Sequence, residues 1–139
     1  YVVADKSVCL ALFDMNCPEY FAANEKADYC LFLDSKPVGY ELCTLNGSVA
    51  GAFGVTDHGS NQSRIDWILL DLNQQGAGVG TSIMTRVIER AIQMEVVTIH
   101  IATSHKAFGF FEKFGAVTVS RTEHGWGAGM HKIEMELRL

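Results

Sequence analysis

The hydrophobic positions of this chain follow two spacings, one typical of helices and one typical of strands. Apolar residues three and four positions apart predict four helices, at residues 8–15, 25–33, 81–94 and 105–114. Alternating or continuous apolar residues predict six strands, at residues 38–45, 48–55, 64–71, 96–103, 117–121 and 132–139. Asn46-Gly47, between the first two strands, predicts a two-residue hairpin turn.

The order of these elements predicts the fold class. Two helices precede a three-strand meander, and a helix, a strand, a helix and two strands follow. This order predicts an α/β (α+β) domain with a mixed sheet. The strand at 96–103 is apolar apart from His100, so we expect a central strand that helices cover on both faces. Residues 1–3 are interpreted as the remnant of a truncated first strand.

Polar residues and glycines predict where the elements end. Residues 57–62 are polar and predict a turn before the third strand, and the glycine-rich stretch 125–129 predicts a loop between the last two strands. Gly115 is expected to close the last helix in the left-handed conformation. The expected N-terminal caps of three helices are Asp5 or Ser7, Asn24 and Ser104.

Composition limits the partners and the compartment. The 139 residues, of which 48% are hydrophobic, suffice for a single domain with its own core, spanning residues 1–139. A net charge of -5, with no basic cluster, argues against nucleic acid or an anionic membrane as partner. The sequence has no apolar run of bilayer length and no signal-like opening, so we expect a cytoplasmic protein. The four cysteines form no Cys-x-x-Cys pair, and we predict reduced thiols and no metal site.

A glycine-rich turn lies between the third predicted strand and the third predicted helix. It reads Gln75-Gly76-Ala77-Gly78-Val79-Gly80-Thr81. Its glycines let the backbone approach a ligand, and the following helix offers free N–H groups and the positive end of its dipole, so such a turn binds anions. A P-loop would need a lysine after Gly80, and a dinucleotide-binding loop would need a third glycine at Thr81 or Ile83. The spacing therefore excludes both.

Two motifs resemble the GNAT superfamily of acyl-CoA-dependent N-acyltransferases. The first is Gln-x-x-Gly-x-Gly, formed by Gln75, Gly78 and Gly80, which is similar to the pyrophosphate loop of that family. The second is the segment 107–116, Ala-Phe-Gly-Phe-Phe-Glu-Lys-Phe-Gly-Ala, which resembles the family's helix beside the thioester. The order of elements is also similar over nearly the whole chain. The resemblance implies a GNAT-like three-layer fold in which helices flank a mixed central sheet.

The resemblance also implies a co-substrate, acetyl-CoA, and no metal. Its pyrophosphate would lie on residues 75–81, and its pantetheine arm would pair like an extra strand with the backbone of Leu70, Asp71 and Leu72. A backbone N–H near Leu69 or Leu70 would bind the thioester carbonyl and stabilise the developing oxyanion.

Two positions near the implied thioester site depart from the family pattern, although both are expected to contact the cofactor. Phe111 stands where many members have the tyrosine that protonates the departing thiolate, so that acid is missing. Ser104 stands where an asparagine is frequent. A thiol with a pKa of about 8.5 is a good leaving group, and activity without the tyrosine is therefore compatible with the chemistry.

Three residues are candidates for the base that deprotonates the attacking amine. Asp66 lies on the strand that leads to the thioester site, where burial would raise its pKa to a useful value. The alternative for Asp66 is a solvent-facing carboxylate paired with Arg64, which is the commoner state of an acid on a strand. Glu25 and His131 are weaker candidates, since an acid at a helix start and a histidine at a strand start more often have structural roles.

The sequence is therefore interpreted as an N-acetyltransferase that moves an acetyl group from acetyl-CoA to a primary amine by direct attack in a ternary complex. The acceptor would be a small-molecule or peptide amine, and a homodimer is compatible with this interpretation. The missing tyrosine at Phe111 leaves open a catalytically weak or inactive acyl-CoA-binding regulatory module. A structural interaction domain with a glycine-rich turn is the alternative from another class. Trp126, between glycines, either forms a mobile wall of the acceptor pocket or packs on the sheet.

Overall fold

A six-stranded mixed sheet forms the centre of the protein. The computed structural model describes residues 1–74 and 76–139. Helices α1 (Lys6–Asn16) and α2 (Glu25–Asp34) come first, followed by strands β1 (Tyr40–Leu45), β2 (Ser48–Gly59) and β3 (Gln62–Leu70). The chain continues with α3 (Val79–Gln93), β4 (Thr98–Ser104), α4 (Phe108–Glu112), β5 (Val117–Gly127) and β6 (Met130–Arg138). The strand order is β1-β2-β3-β4-β6-β5, and β3 and β4 form the parallel pair in an otherwise antiparallel sheet.

Two hydrophobic cores lie on opposite faces of this sheet. The neighbouring residues Ala52 and Phe53 of β2 belong to different cores, because successive side chains of a strand point to opposite faces. Helices α1 and α2 cover one face, with Cys9, Phe13, Tyr29 and Leu33 packed on Tyr40, Ala52 and Leu69. Helices α3 and α4 cover the other, with Ile83, Met84, Val87 and Phe111 packed on Ile99, Ile101, Ile133 and Met135. The predicted fold class, a mixed sheet flanked by helices, is confirmed.

Several predicted boundaries in the sheet are wrong, and exposure to water explains the errors. Residues 57–59 and 62 belong to strands, and the turn itself is Ser60-Asn61. Strand β5 continues to Gly127 instead of ending at residue 121, so the predicted glycine-rich loop shrinks to a two-residue turn, Ala128-Gly129. These hairpin ends project into solvent, where strands can consist of polar residues and glycines. Because such residues do not alternate with buried apolar ones, the hydrophobic pattern does not predict these parts of the strands.

The helix ends also differ from the prediction. Helix α3 begins at Val79 instead of residue 81, and α4 comprises only Phe108–Glu112 instead of 105–114. The predicted caps are wrong: no side-chain hydrogen bond caps the start of α1, α2 or α4 among the described residues, and Ser7 lies within α1. Asp5 accepts a hydrogen bond from Val2 N–H instead. Gly115 does follow α4 with a φ of 97°, as predicted.

Strand β4 is covered by helices on one face instead of two. Ile99 and Ile101 are buried, whereas Ala102 is exposed and His100 is half-buried. At the chain's start, Val3–Asp5 forms a 3₁₀ turn where a strand remnant was expected. No helix in the described part of the chain is long and apolar enough to cross a membrane.

Candidate active site

Strands β3 and β4 separate along their length and open a cleft in the middle of the sheet. They pair only where residues 62–64 face residues 98–100, although β3 continues to Leu70 and β4 to Ser104. A cavity of about 930 Å³ occupies the gap. Backbone groups that face a gap in a sheet lack strand partners, so they are available to a ligand.

Both strands, α4 and the loop between α1 and α2 contribute to the cavity wall. Its lining includes Asn16, Tyr20, Phe21, Glu25, Asp66, Trp67, Ile68, Leu70, Leu72, Ile101, Thr103, Ser104, Phe110, Phe111 and Trp126. The predicted site residues Glu25, Asp66, Leu70, Leu72, Ser104 and Phe111 therefore share one cavity.

A β-bulge at Trp67 lies in the part of β3 that no longer pairs with β4. The pairing with β2 shifts between Asp66 and Leu69, and Trp67 has a φ of 43°. A non-glycine residue with positive φ is strained unless its surroundings hold it. Here Tyr40 donates from its hydroxyl to the Trp67 carbonyl at 2.7 Å, and the Tyr29 hydroxyl lies 2.7 Å from that of Tyr40. Two buried tyrosines therefore fix the bulge.

The end of β3 presents the backbone of Leu70 to the cleft. Asp71 N–H donates to the Ala50 carbonyl at 2.8 Å, on the β2 side. Neighbouring residues in a strand direct their backbone groups to opposite sides, so Leu70 faces the gap. Its carbonyl accepts a hydrogen bond from the Asn16 side-chain amide at 2.8 Å. Asn16 was not predicted as a site residue, because nothing in its local sequence marks an asparagine at a helix end as functional.

Asp71 and Leu72 form the turn that leaves β3. The Asp71 carboxylate accepts hydrogen bonds from Asn73 N–H at 2.8 Å and from the Gln74 side-chain amide at 3.0 Å. Leu72 N–H donates to Met15 Sδ at 3.2 Å. Asp71 therefore uses its carboxylate to shape the turn, and of the three predicted pantetheine contacts, Leu70 has the backbone best placed for a ligand.

The glycine-rich turn leads directly into α3. Gly76 and Gly78 have φ values of 83° and 78°, a conformation that favours glycine, and space beside both is open. The first hydrogen bond of the helix runs from Ser82 N–H to the Gly78 carbonyl at 2.9 Å. The amides of Val79, Gly80 and Thr81 precede that bond and have no hydrogen-bond partner among the described residues, as expected at a helix start. Ala77 is exposed beside them, and Gln75 lies outside the described residues.

Gly80 has a packing role that the motif did not predict. A Cβ atom at this position would lie 2.9 Å from Phe110 Cε2 and 3.3 Å from Leu70 Cδ1. The missing side chain therefore lets the start of α3 approach both α4 and the end of β3.

Phe111 and Ser104 form the wall opposite β3. Phe111 is 2% exposed and belongs to the core under α3 and α4. Ser104 is also buried, and its hydroxyl accepts a hydrogen bond from Lys106 N–H at 3.3 Å. The Phe111 side chain carries no proton to donate, so the wall around it supplies apolar contact.

Glu25 is a buried carboxyl group on the cavity wall. It is 5% exposed, and its Oε2 accepts a hydrogen bond from Ala22 N–H at 2.7 Å. Burial raises the pKa of Glu25 to about 7; the Ala22 hydrogen bond opposes this rise and the nearby Asp28 adds to it. A carboxyl group with such a pKa exchanges protons readily near neutral pH.

Asp66 and Arg64 form an ion pair at the other side of the cavity. Asp66 is 8% exposed, and Arg64 Nε lies 3.2 Å from its Oδ1. The structure therefore combines the two alternatives for Asp66, since the carboxylate is buried and also paired with Arg64, which is 52% exposed.

His131 and Trp126 lie in the β5–β6 hairpin. Trp126 lines the cavity, and its indole N–H donates to the Thr103 carbonyl at 2.8 Å. His131 is not among the cavity-lining residues of the described chain, and its Nδ1 accepts a hydrogen bond from His124 N–H at 3.0 Å.

Comparison with known proteins agrees with this architecture. The sequence model described as "Acetyltransferase (GNAT) family" matches residues 9–116. This protein therefore belongs to the GNAT acetyltransferase family. No curated protein matches the sequence.

Solved structures share the fold at low sequence identity. Ard1 from Thermoplasma volcanium is 16% identical, with a TM-score of 0.82 over 100% of this chain and 94% of that one. The Salmonella typhimurium protein yncA, solved with its cofactor acetyl-CoA, is 14% identical, with a TM-score of 0.72 over 100% and 91%. An aminoglycoside 6'-N-acetyltransferase in complex with coenzyme A is 12% identical, with a TM-score of 0.73 over 96% and 89%.

Proposed function

We propose that this protein transfers the acetyl group of acetyl-CoA to a primary amine, with Glu25 as the base. The observation that carries this proposal is a buried carboxyl group of raised pKa on the wall of the cleft between β3 and β4. Structures of similar fold hold acetyl-CoA or coenzyme A, which supports the same donor here. The protein would act on a small-molecule or peptide amine in the cytoplasm.

The cofactor would bind along one side of the cleft. Leu70 N–H would meet the pantetheine arm or the thioester carbonyl, since Leu70 directs its backbone into the gap. The free amides of Val79, Gly80 and Thr81 would bind the pyrophosphate, with Gly76 and Ala77 beside them. Gln75 stays a predicted member of this loop, outside the described residues. Phe111 and Ser104 would border the acetyl end.

The reaction would proceed by direct attack. The amine nitrogen bonds to the thioester carbonyl carbon, the carbon–sulfur bond breaks, and the proton of the amine passes to Glu25 directly or through one water. The CoA thiolate leaves without a protein acid, since Phe111 has no proton to give, and is protonated by solvent. Asp66 remains the alternative base, although its Oδ1 already accepts a hydrogen bond from Arg64 Nε at 3.2 Å. His131 is the weakest candidate, because it lies outside the cavity lining.

Replacement of Glu25 tests this proposal. For the natural protein, we expect kcat/KM to rise with pH and level off above a pKa of about 7, because the base must be unprotonated. The Glu25→Gln variant keeps an oxygen for the Ala22 N–H and loses the basicity, so we expect kcat/KM to fall by about 10²- to 10⁴-fold, without the rise near neutral pH. CoA release from acetyl-CoA with a panel of primary amines provides the measurement.

Asp66→Asn is the matched control, since it also converts a buried carboxylate on the same cavity to an amide. Retention of the pH profile in Glu25→Gln and its loss in Asp66→Asn would assign the base to Asp66. Calorimetry separates the remaining alternatives. Tight acetyl-CoA binding without turnover for any amine would indicate a regulatory acyl-CoA-binding module, and no binding would indicate an interaction domain.

A further inference from the structure

The tip of the β5–β6 hairpin, residues 124–131, is hydrogen-bonded both to β4 and to the residue before α2, on the side of the cavity where the amine would bind. Trp126 donates from its indole N–H to the Thr103 carbonyl of β4 at 2.8 Å. Its own carbonyl accepts a hydrogen bond from the Asn24 side-chain amide at 2.8 Å. Asn24 directly precedes Glu25 in sequence. The hairpin tip therefore connects β4 to the segment that carries the proposed base, with Trp126 as a cavity wall.

Three histidines hold this tip through the same kind of bond. His124 Nδ1 accepts from Gly129 N–H at 2.7 Å, and His131 Nδ1 accepts from His124 N–H at 3.0 Å. His105 Nδ1 accepts from His131 N–H at 3.2 Å. The His131 ring lies 4.6 Å from that of His105 and 4.9 Å from that of His124, centre to centre.

These bonds require neutral imidazoles. A backbone N–H is always the donor, so each Nδ1 must offer a lone pair and the ring proton must reside on Nε2. Protonation of a ring places a second proton on Nδ1, which then faces a backbone N–H as donor against donor. Each bond therefore breaks when its histidine becomes charged.

His131 has a partner for each protonation state. Glu123 Oε2 lies 3.1 Å from the same Nδ1 that accepts from His124 N–H. The charged groups facing His131 are Arg121 and Glu123 of β5, with His124 on the same strand and His105 after β4. Burial lowers the pKa of His131 below its ordinary value of 6.5; Glu123 opposes this effect, while His105, Arg121 and His124 add to it. The neutral state, with its bond to His124, is therefore held at neutral pH.

A divalent metal would be another occupant of this cluster, because atoms of Glu123, His124 and His131 lie within 4.8 Å of one another. Nδ1 of both histidines is already occupied by backbone N–H groups, and the neutral rings carry a proton on Nε2. A metal ion could bind these histidines only if the hydrogen bonds were broken. We therefore interpret the cluster as one that binds a proton and not a metal ion.

We propose that His131 is a positioning residue that holds Trp126 over the acceptor site. When His131 is protonated, its Nδ1 loses the hydrogen bond from His124 N–H and donates to Glu123 instead, which releases the hairpin tip. This proposal rests on the proposed function, because it assumes that Trp126 borders the acceptor. Acid would then weaken binding of the amine by removing a wall of its site, and acetyl-CoA, on the far side of the cleft, would bind as before.

The indole N–H signals of the protein test the proposal without any need for turnover. The chain has two tryptophans, so Trp67 provides an internal reference, and a Trp126→Phe variant assigns the signals. Between about pH 7.5 and pH 5, we expect the Trp126 indole proton to shift and to exchange with water about tenfold faster relative to that of Trp67. His131→Asn retains an acceptor near the Nδ1 position and does not titrate, so its Trp126 signal should respond to acid much less than that of the natural protein, with only His105 and His124 left to respond. His58→Asn, at an exposed histidine with a different environment, should keep the acid response.

Kinetics supply the second measurement. In the natural protein we expect KM for the amine to rise about fivefold on acidification, with little change in KM for acetyl-CoA. In His131→Asn we expect the rise in KM for the amine to be clearly smaller. A Trp126 signal that does not respond to pH, or one that responds equally in His131→Asn, would overturn the proposal. If Trp126 responds as described while no amine is acetylated, the positioning role of His131 for Trp126 stands and the proposed function fails.

Discussion

Gly80 illustrates how one residue can serve both the cofactor loop and the packing of the domain. Its amide is one of the free groups at the start of α3, and its α-carbon lies against the ring of Phe110 and the side chain of Leu70. The motif identifies Gly80 as a loop residue, and the structure adds that a side chain here would separate α3 from α4.

Replacing Gly80 with alanine should therefore destabilise the protein. The new Cβ would lie 2.9 Å from Phe110 Cε2, so we expect a loss of about 1–3 kcal/mol in the free energy of unfolding, as for other overpacked sites. Gly109→Ala is the matched control, because no atom lies within 4 Å of the added Cβ and alanine favours a helix. Urea unfolding provides the measurement, and equal stability of the two variants would contradict the packing role.

For single residues, the sequence predicts which residue types form the site better than it predicts how buried they are and what they contact. The glycines of the loop were predictable from their spacing, because positive φ and close backbone approach demand glycine. Glu25 ranked below Asp66, because the sequence does not show that the turn at Ala22 folds back to bury a carboxyl group and donate to it. Asn16, which binds the Leu70 carbonyl across 54 residues, was not predictable for the same reason.

Among the elements, β3 has the greatest influence on the site, because its bulged segment borders the cleft. The conformation of Trp67 depends on the hydroxyl of Tyr40. A hydroxyl has one proton, and Tyr40 donates it to the Trp67 carbonyl, so Tyr29 must be the donor to Tyr40. The order of donation is therefore Tyr29, Tyr40, Trp67.

This order predicts unequal effects for the two tyrosines. Tyr40→Phe leaves the Trp67 carbonyl without its donor and the Tyr29 hydroxyl with Cys9 as its remaining partner, so we expect a loss of about 1–3 kcal/mol in stability and a raised KM for acetyl-CoA. Tyr29→Phe removes the bonds to Tyr40 and Cys9 but leaves the Trp67 carbonyl paired, so its loss should be about 1 kcal/mol, with KM for acetyl-CoA unchanged. Denaturant unfolding and steady-state kinetics are the measurements. A larger effect from Tyr29→Phe would show that the donation runs in the other direction.

Helices, strands and turns were predictable where the local sequence has a clear hydrophobic spacing or characteristic turn residues. Asn46 and Gly47 do turn between β1 and β2, with φ values of 52° and 81°. The short α4 was overestimated, because phenylalanines at helical spacing continue past Glu112 into the turn that leads to Ala116. The bulge at Trp67 was not predictable, since it depends on a tyrosine 27 residues away.

For the whole molecule, the separation of β3 and β4 leaves a cavity in the middle of the sheet that a ligand can enter. A ligand that binds only the folded state stabilises it, by about 2.7 kcal/mol at a hundred times its dissociation constant. The mixed fold itself was predictable from the order of elements. The depth and shape of the cavity were not, because they depend on where β3 and β4 stop pairing.

Acetyl-CoA should therefore protect two separate regions from hydrogen exchange. We expect slower amide exchange in residues 68–70 and 79–81, which face the proposed pantetheine and pyrophosphate positions. The amides of β1, at the sheet edge remote from the cleft, serve as the control and should exchange at an unchanged rate. Mass spectrometry of deuterium uptake measures all three regions. Protection confined to residues outside the cleft would contradict the proposed binding mode.

The separated strands have a further consequence for the life of the protein in a cell. An open strand edge is a template for other chains, so β3 without its ligand resembles the edges from which aggregates grow. In the proposed binding mode, acetyl-CoA would cover this edge. We therefore expect the amount of usable protein to follow the supply of acetyl-CoA, so that scarcity of the metabolite would first reduce the pool of enzyme and only then its rate.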